Sequence, residues 1–147
     1  MKHVSVAIAV LSLALLGASA RGADDQTLYH RLGGTPGIEA IATTLIERVA
    51  SDPKLGRSFE GTNRKRIEAH LAQQLCQIVG GPCHYEGDPM RAVHAGQKIT
   101  ETEFYGLVEA LEDILTQRGV ALEDRNQLLR RLASMKRDVV QVPPEKH

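Results

Sequence analysis

Apolar residues recur every three or four positions through most of the chain after residue 35, and this spacing restricts the fold more than any other feature. The recurrence places these side chains on one face of an α-helix, because a helix repeats every 3.6 residues. No stretch alternates with the period of two that a half-buried strand requires. The sequence therefore predicts an all-α fold of five or six helices, with apolar positions at Ile38, Ile41, Ala42, Leu45, Ile46, Val49, Ile67, Leu71, Leu75, Ile78, Phe104, Leu107, Val108, Leu111, Ile114, Leu115, Leu128, Leu129, Leu132, Met135 and Val139.

Several polar residues mark where these helices should begin. Thr35 is expected to cap the first long helix, with a proline in its first turn, and Asn63 is expected to cap the second. Thr100 and Glu103 have the spacing of a capping box, which predicts the start of a third long helix. A single last helix is expected to run through 128–139.

The N-terminal segment forms a separate unit. A basic start precedes an apolar run over 4–16, and Ala18 and Ala20 offer the small residues that a signal peptidase reads. The alternative is an uncleaved membrane anchor, but a helix over that run would rise about 20 Å, short of a bilayer core of roughly 30 Å. We therefore expect 1–20 to be a signal peptide and 21–147 to be one domain. The mature protein would be periplasmic or secreted and would meet a membrane only during export.

Charge and aromatic content argue against a nucleic-acid binder. The 18 basic and 18 acidic side chains cancel, so there is no basic excess to attract phosphates. Aromatic residues make up only 3% and Trp is absent, which removes the usual stacking platforms for bases. A glycine-rich stretch over 33–37 lacks the Lys-Ser/Thr of a phosphate loop and is interpreted as a turn before a helix. We expect no nucleic acid among the partners.

The two cysteines, Cys76 and Cys83, are seven positions apart. On one continuous helix they would be separated by about 10 Å along the axis, which is too far for a disulfide. Gly80, Gly81 and Pro82 lie between them and are expected to end the helix and turn the chain. A disulfide then becomes possible in an oxidising compartment, and at this point it is no better supported than two free thiols.

Two other uses of the cysteines have weak support. Cys83 and His84 are similar to the end of the C-x-x-C-H motif of covalent haem attachment, but Gly80 stands where the first Cys should be. A zinc site made from Cys76, Cys83 and His84 would lack a fourth ligand.

His94 is the histidine least easily explained by packing alone. It lies on a very short helix that Asp88 is expected to cap and Gly96 to end, between two glycine-bearing loops. So short a helix buries little surface, and a metal bond is one reason for it to be held against the core; the alternative is a satisfied structural histidine. His70 lies at the edge of an apolar stripe, where it could reach inward or remain solvated.

Several short stretches form a pattern through their order and spacing: Leu28-Tyr29-His30-Arg31-Leu32-Gly33-Gly34, Phe59-Glu60-Gly61-Thr62-Asn63, Gly80-Gly81-Pro82, Tyr85-Glu86-Gly87-Asp88-Pro89-Met90, Met90-Arg91-Ala92-Val93-His94 and Lys136-Arg137-Asp138-Val139. Together they resemble the group I truncated haemoglobins over residues 28–141, nearly the full length of that family. The resemblance implies a two-over-two helical sandwich around one haem b. Residues 21–147 are then expected to be a truncated globin domain.

The resemblance also implies the residues of the haem site. His94 falls where the family keeps its proximal iron ligand, and Phe59 where a Phe packs on the porphyrin face. His70 falls where some members carry a His that binds the iron from the second side; its alternative role is contact with a haem propionate. Met135 falls where some members attach haem covalently, so the haem is expected to be non-covalent. The other positions implied to line or support the pocket are Thr62, Ile67, Leu71, Tyr85, Met90, Val93, Ile99 and Phe104.

Three positions depart from the family pattern. Many members place a Tyr in the first long helix and Gln on the facing helix to hydrogen-bond oxygen, whereas here these positions are Ile46, Ile67 and Leu71. None of the three can donate a side-chain hydrogen bond. A buried donor to a charge-bearing ligand contributes roughly 1.5–3 kcal/mol, a factor of about ten to a hundred in affinity. Oxygen is therefore expected to be held less firmly than in the Tyr/Gln members.

Three functions compete under this resemblance. The first is reversible binding of O2, NO or CO. The second is redox chemistry, either electron transfer or a haem-dependent oxidoreductase acting on nitric oxide or peroxide, with a reductase or electron-transfer partner. The third, a helical module that has lost its haem, is disfavoured because His94 and Phe59 persist. The apolar distal side weakens oxygen storage and nitric oxide dioxygenation, whereas a bond from His70 would favour electron transfer or ligand-gated sensing. We predict gas binding, with redox chemistry as the alternative.

Overall fold

A computed structural model describes residues 27–142, and α-helices make up most of this segment. The helices are α1 Leu28–Arg31, α2 Gly34–Ser51, α3 Arg64–Ile78, α4 Met90–Val93, α5 Glu101–Gln117, α6 Leu122–Ala133 and α7 Lys136–Val139, with a 3₁₀ turn at Gly56–Phe59. Over the described range no strand forms, and the one isolated bridge joins Thr100 to Val142. The predicted all-α class is confirmed, while the predicted signal peptide lies outside the described residues.

Helix α2 lies at the centre of the packing. It contacts α3 on one side and α5 on another, and α6 packs against α5. The apolar stripe predicted for α2 is the buried face of that helix, and it meets Leu111, Ile114 and Leu115 of α5, each no more than 2% exposed. Burying one such side chain contributes about 1.5–3 kcal/mol. This core holds the helices that form the walls of the site described below.

Two of the predicted helix starts are confirmed. The Asn63 side chain accepts a hydrogen bond from the backbone N–H of Arg66 at 3.1 Å, which caps α3. Thr100 and Glu103 form both hydrogen bonds of a capping box at the start of α5. Both motifs act within one helical turn, because the side chain bonds a backbone amide only three residues away.

Two other predicted caps are wrong. Helix α2 begins one residue before Thr35, with Gly33 as its N-cap at φ +92°, and the Thr35 hydroxyl instead lies 2.7 Å from the Tyr29 hydroxyl. The N-cap of α4 is Pro89 rather than Asp88, and Asp88 contributes only its backbone oxygen, to the Tyr85 hydroxyl. At Thr35 the Tyr29 hydroxyl engages the side chain that the local rule assigns to the cap, whereas at Asp88 the helix begins one residue later than expected.

The predicted single helix over 128–139 is also wrong. The chain forms α6 and α7 instead, separated by Ser134 and Met135. The Ser134 hydroxyl donates to the backbone oxygen of Arg131 at 2.7 Å, which offers the backbone an alternative to continuing the helix. The break separates α7 from α6, and α7 packs against α4.

The chain turns sharply after α3 and forms a disulfide. Gly80 has φ +82°, and the N–H of Gly81 donates to the Cys76 carbonyl at 2.8 Å. A β-carbon at Gly81 would lie 2.6 Å from the Cys76 sulfur, so only glycine fits this turn. The turn brings Cys83 to Cys76 with their Cα atoms 5.7 Å apart, and the two sulfurs are bonded. The sequence alone supported a disulfide and two free thiols equally, and the structure contains the disulfide.

None of the helices within residues 27–142 is both long enough and apolar enough to span a bilayer. The membrane-anchor alternative concerned 4–16, which the structure does not describe.

Candidate functional site

A mainly apolar cavity of about 320 Å³ lies between α2, α3, α4 and α5. The twelve residues that the sequence assigned to a cofactor site all line it, although they come from six separate parts of the chain. They are Phe59, Thr62, Ile67, His70, Leu71, Tyr85, Met90, Val93, His94, Ile99, Phe104 and Met135. The structure therefore brings the predicted site together in one place, while the role of each residue toward a cofactor stays a prediction.

A second cavity of about 410 Å³ lies on the other face of α3. It contains no histidine, and its charged groups are largely engaged with one another. Lys65 Nζ lies 2.9 Å from the buried Glu68 carboxylate, which also accepts from the Thr43 hydroxyl at 3.4 Å. The ion pair lies within α3 and the Thr43 hydrogen bond joins α2 to α3, so these groups serve the packing of the two helices.

His94 follows directly after α4, where the half-buried imidazole lines the apolar cavity of about 320 Å³. Its Nδ1 atom lies 2.8 Å from the backbone oxygen of Met90. Because a carbonyl oxygen can only accept, this bond requires a proton on Nδ1 and leaves the lone pair of a neutral ring on Nε2. This is the arrangement that metal-binding histidines adopt when a second group fixes their tautomer.

The short helix α4, which directly precedes His94, is held by contacts from the C-terminal part of the chain. Arg91 of α4 binds Asp138 of α7 through Nε at 3.2 Å and Nη2 at 2.8 Å. The Gln141 side-chain amide donates to the backbone oxygen of His94, and its oxygen accepts from the N–H of Lys98 at 2.8 Å. These bonds replace the apolar burial that so short a helix lacks.

Arg57 connects the 3₁₀ turn to the loop that follows His94. Its guanidinium donates to the backbone oxygens of Gln97 at 3.0 Å and Lys98 at 2.9 Å, and to the Glu103 carboxylate at 2.7 Å. Burial alone would raise the pKa of Glu103, but hydrogen bonds from Arg57 and Thr100 outweigh it and hold that pKa below its ordinary value. Arg57 thereby joins the 3₁₀ turn that ends at Phe59 to the loop after His94 through backbone hydrogen bonds, and to α5 through its ion pair with Glu103.

The cavity wall opposite α4 is apolar at the three positions that the sequence analysis predicted to lack a hydrogen-bond donor. Ile46 of α2 and Ile67 and Leu71 of α3 all line the cavity. None of these side chains carries a hydrogen-bond donor. This stretch of wall can exclude water and surround an apolar group, but it cannot hold a polar ligand by hydrogen bonding.

The sequence analysis did not place four polar residues in the cavity wall, namely Ser58, Gln74, Gln97 and Glu103. Gln74 lies on the α3 wall, where its amide donates to the Met135 sulfur at 3.7 Å, so this wall carries a second polar side chain besides His70. Gln74 follows Leu71 by three positions, a helical spacing that could have revealed it. Ser58 also lines the cavity, and its buried hydroxyl has no hydrogen-bond partner among residues 27–142. No sequence pattern marks Ser58.

His70 lines the cavity and contacts Tyr85. The two rings meet edge to face, with centroids 6.1 Å apart and planes at 84°. The Tyr85 hydroxyl donates to the Asp88 backbone oxygen at 2.9 Å. Partial burial and the nearby Asp88 carboxylate raise the pKa of Tyr85, so the phenol remains protonated and able to donate.

The side chains near the cavity offer few metal ligands, which suits a metal whose other ligands come from a cofactor. Within the described part of the chain, no three His, Cys, Asp or Glu side chains are grouped closely enough to hold a metal ion. The sulfurs of Cys76 and Cys83 are bonded to each other in the disulfide. No thiolate is then free to bind zinc, and no thiol is free to attach haem through Cys83. One oriented imidazole in an apolar cavity would suit an iron whose remaining ligands are supplied mainly by a porphyrin.

The chain is similar to known globins. The bacterial-like globin family matches residues 27–141. The chain is 37% identical over 111 residues to the group 1 truncated hemoglobin GlbN of Nostoc sp., covering 76% of this chain and 94% of that protein. It is 33% identical over 115 residues to the GlbN of Mycolicibacterium paratuberculosis, covering 78% of this chain and 85% of that protein.

A solved structure shows the same architecture. The truncated hemoglobin of Tetrahymena pyriformis in its Fe(III) form superposes with a TM-score of 0.75 at 25% identity, covering 80% of this chain and all of that one. The predicted two-over-two helical sandwich is thereby confirmed. The chain therefore belongs to the bacterial-like globin family, and within it to the truncated haemoglobins.

Proposed function

We propose that this protein binds one haem b non-covalently, with His94 as the protein ligand to the iron, and that it binds diatomic gases such as O2, NO and CO. The hydrogen bond from His94 Nδ1 to the Met90 carbonyl carries this proposal, because it leaves Nε2 as the atom able to bind a metal. Membership of the truncated haemoglobins supports haem-based gas binding in general. When bound, the haem would supply the iron that coordinates the gas.

The residues around His94 have separate tasks in this proposal. Phe59 and Phe104 line the cavity and would pack against a flat apolar group. Ile46, Ile67 and Leu71 would keep water out of the gas side, since water gains no hydrogen bond there. Without a donor at these positions, oxygen would leave faster than from a site that carries Tyr and Gln.

The proposal is tested by titrating haem into the haem-free protein and following the Soret band. Wild type should bind one haem per chain, whereas His94→Ala should retain it far more weakly because the protein bond to iron is lost. His84→Ala is the matched control, because His84 is exposed and does not line the cavity. Equal haem retention and an identical Soret spectrum in His94→Ala would overturn the proposal.

The second candidate function is redox chemistry, and the presence of His70 in the cavity favours it. A bond from His70 to the second side of the iron would make gas compete with an internal ligand and would favour electron transfer with a reductase partner. Ferrous absorption spectra of wild type and His70→Leu discriminate the two candidates. A six-coordinate low-spin spectrum that becomes five-coordinate in His70→Leu supports the redox function, and a five-coordinate wild type supports simple gas binding.

We further propose that the protein is exported after removal of residues 1–20. The disulfide between Cys76 and Cys83 supports export, because structural disulfides persist mainly in oxidising compartments. Cell fractionation followed by N-terminal sequencing tests this. A mature chain that begins near residue 21 in the exported fraction is expected, and an uncleaved chain in the cytosol would contradict it.

A further inference from the structure

The loop between α3 and α4, residues 79–89, is fastened to α3 near the cavity. The covalent attachment is the bond between Cys83 and Cys76. Two residues later, the backbone N–H of Tyr85 donates to the Gln77 side chain at 2.6 Å. The disulfide and this hydrogen bond together fix the part of the loop that supplies Tyr85 to the cavity wall.

Tyr85 is held from its other end as well. Its hydroxyl donates to the Asp88 backbone oxygen, and a β-carbon at Gly87 would collide with the phenol ring, so the loop closes tightly around it. The ring meets His70 edge to face at 6.1 Å. His70 lies beside the apolar stripe of α3 and not at its centre, so in this position the loop-borne ring packs against it.

We propose that Tyr85, fastened by the Cys76–Cys83 disulfide, is a positioning residue that holds His70 at the cavity wall and so keeps the gas site open. The inference rests on the proposed function, in which His94 holds a haem in this cavity. For His70 to bind the iron, its ring must give up the contact with Tyr85. A ring contact of this kind shifts such an equilibrium by up to about tenfold.

Breaking the disulfide should loosen this arrangement. A dithiol reductant transfers two electrons and two protons, the sulfur–sulfur bond breaks, Cys76 and Cys83 become thiols, and the reductant becomes a cyclic disulfide. The loop around Tyr85 then remains attached to α3 through two side-chain hydrogen bonds, from the N–H of Tyr85 to Gln77 and from the N–H of Glu86 to Gln73, the second a long one at 3.4 Å. His70 should leave the wall more often and occupy the second side of the iron for a larger fraction of the time.

The inference is tested by measuring the rate of carbon monoxide binding to the ferrous protein. The rate is compared with the disulfide intact, reduced by dithiothreitol, or removed in Cys76→Ser/Cys83→Ser. Loss of the disulfide should slow binding several-fold, up to about tenfold, and raise the six-coordinate share of the ferrous spectrum. Tyr85→Leu should act like reduction, whereas Tyr85→Phe retains the ring and should change the rate less. His84→Ala is the matched control within the loop. In a His70→Leu background, reduction should have no effect.

Equal rates in intact and reduced wild type would overturn the inference, and so would a difference that persists in His70→Leu. A second readout does not depend on haem: the proton NMR signal of the His70 ring in the haem-free protein should shift in Tyr85→Leu and after reduction. An unchanged His70 signal in both cases would also overturn the inference. Failure of wild type to bind haem would instead overturn the proposed function, and the NMR measurement separates the two failures.

Discussion

The Nδ1 atom of His94 lies 2.8 Å from the backbone oxygen of Met90, one helical turn earlier. The acceptor is a main-chain atom of α4, the short helix that directly precedes His94, so the tautomer of His94 does not depend on any side chain of the opposite wall. We therefore expect substitutions on α3 to change how gas is held without removing the proposed iron ligand.

Placing a donor on the α3 wall should strengthen oxygen binding. In Leu71→Gln an amide replaces an apolar side chain that lines the cavity. Because a donor to a charge-bearing ligand contributes about 1.5–3 kcal/mol, oxygen dissociation should slow by about ten- to a hundredfold. Stopped-flow displacement of oxygen by carbon monoxide measures the rate. Leu71→Met, of similar size and without a donor, is the control, and an unchanged rate in fully haem-loaded Leu71→Gln would contradict the prediction.

Removing the disulfide should destabilise the fold. The bond between Cys76 and Cys83 closes a short loop, and the loss of chain entropy in the unfolded state predicts a contribution of about 2–3 kcal/mol. Cys76→Ser/Cys83→Ser should therefore unfold at lower denaturant concentration than wild type. Thiol titration of unfolded wild type from the exported fraction should find no free cysteine. Two free thiols in that material, or identical unfolding midpoints, would be inconsistent with this expectation.

Glu103 should make stability depend on pH in the acid range. Although burial opposes ionisation, hydrogen bonds from Arg57 and Thr100 hold its pKa below 4.5. A carboxyl whose pKa is lowered on folding contributes stability that is complete above the unfolded pKa and is lost as pH falls through the folded value. Glu103→Gln should therefore lose less stability than wild type as pH falls below about 4.5. Denaturation midpoints measured across this range check it, and equal pH slopes would refute it.

Thr35 and Asn63 were both predicted to be helix N-caps, but substituting them should change the free energy of unfolding by different amounts. Asn63→Ala removes the observed cap of α3 and should cost about 1 kcal/mol of unfolding free energy. Thr35→Ala removes no cap, since Gly33 holds that position in α2, and should cost less, within about 0.5 kcal/mol. Urea unfolding of both variants provides the comparison. A larger effect at Thr35 than at Asn63 would contradict the cap assignments.

Local rules predicted the features that depend on a few neighbouring residues. The Asn63 cap and the capping box of Thr100 and Glu103 each involve a side chain and an amide three positions apart, so the sequence determined them. The apolar stripe of α2 is equally local, since it follows from helical spacing alone. Resemblance to a family then named His94 and Phe59, and the structure places both in one cavity.

Tertiary structure decided every feature in which distant residues compete for one group. The Thr35 hydroxyl meets that of Tyr29 and caps no helix, and Gln74 in the cavity wall contacts the sulfur of Met135, 61 positions further along the chain. The pairing of His70 with Tyr85 depends on how the loop folds back onto α3. Local spacing specifies which face of a helix a side chain occupies, whereas the partner on that face is specified only when the helices pack, because packing brings together residues far apart in the chain.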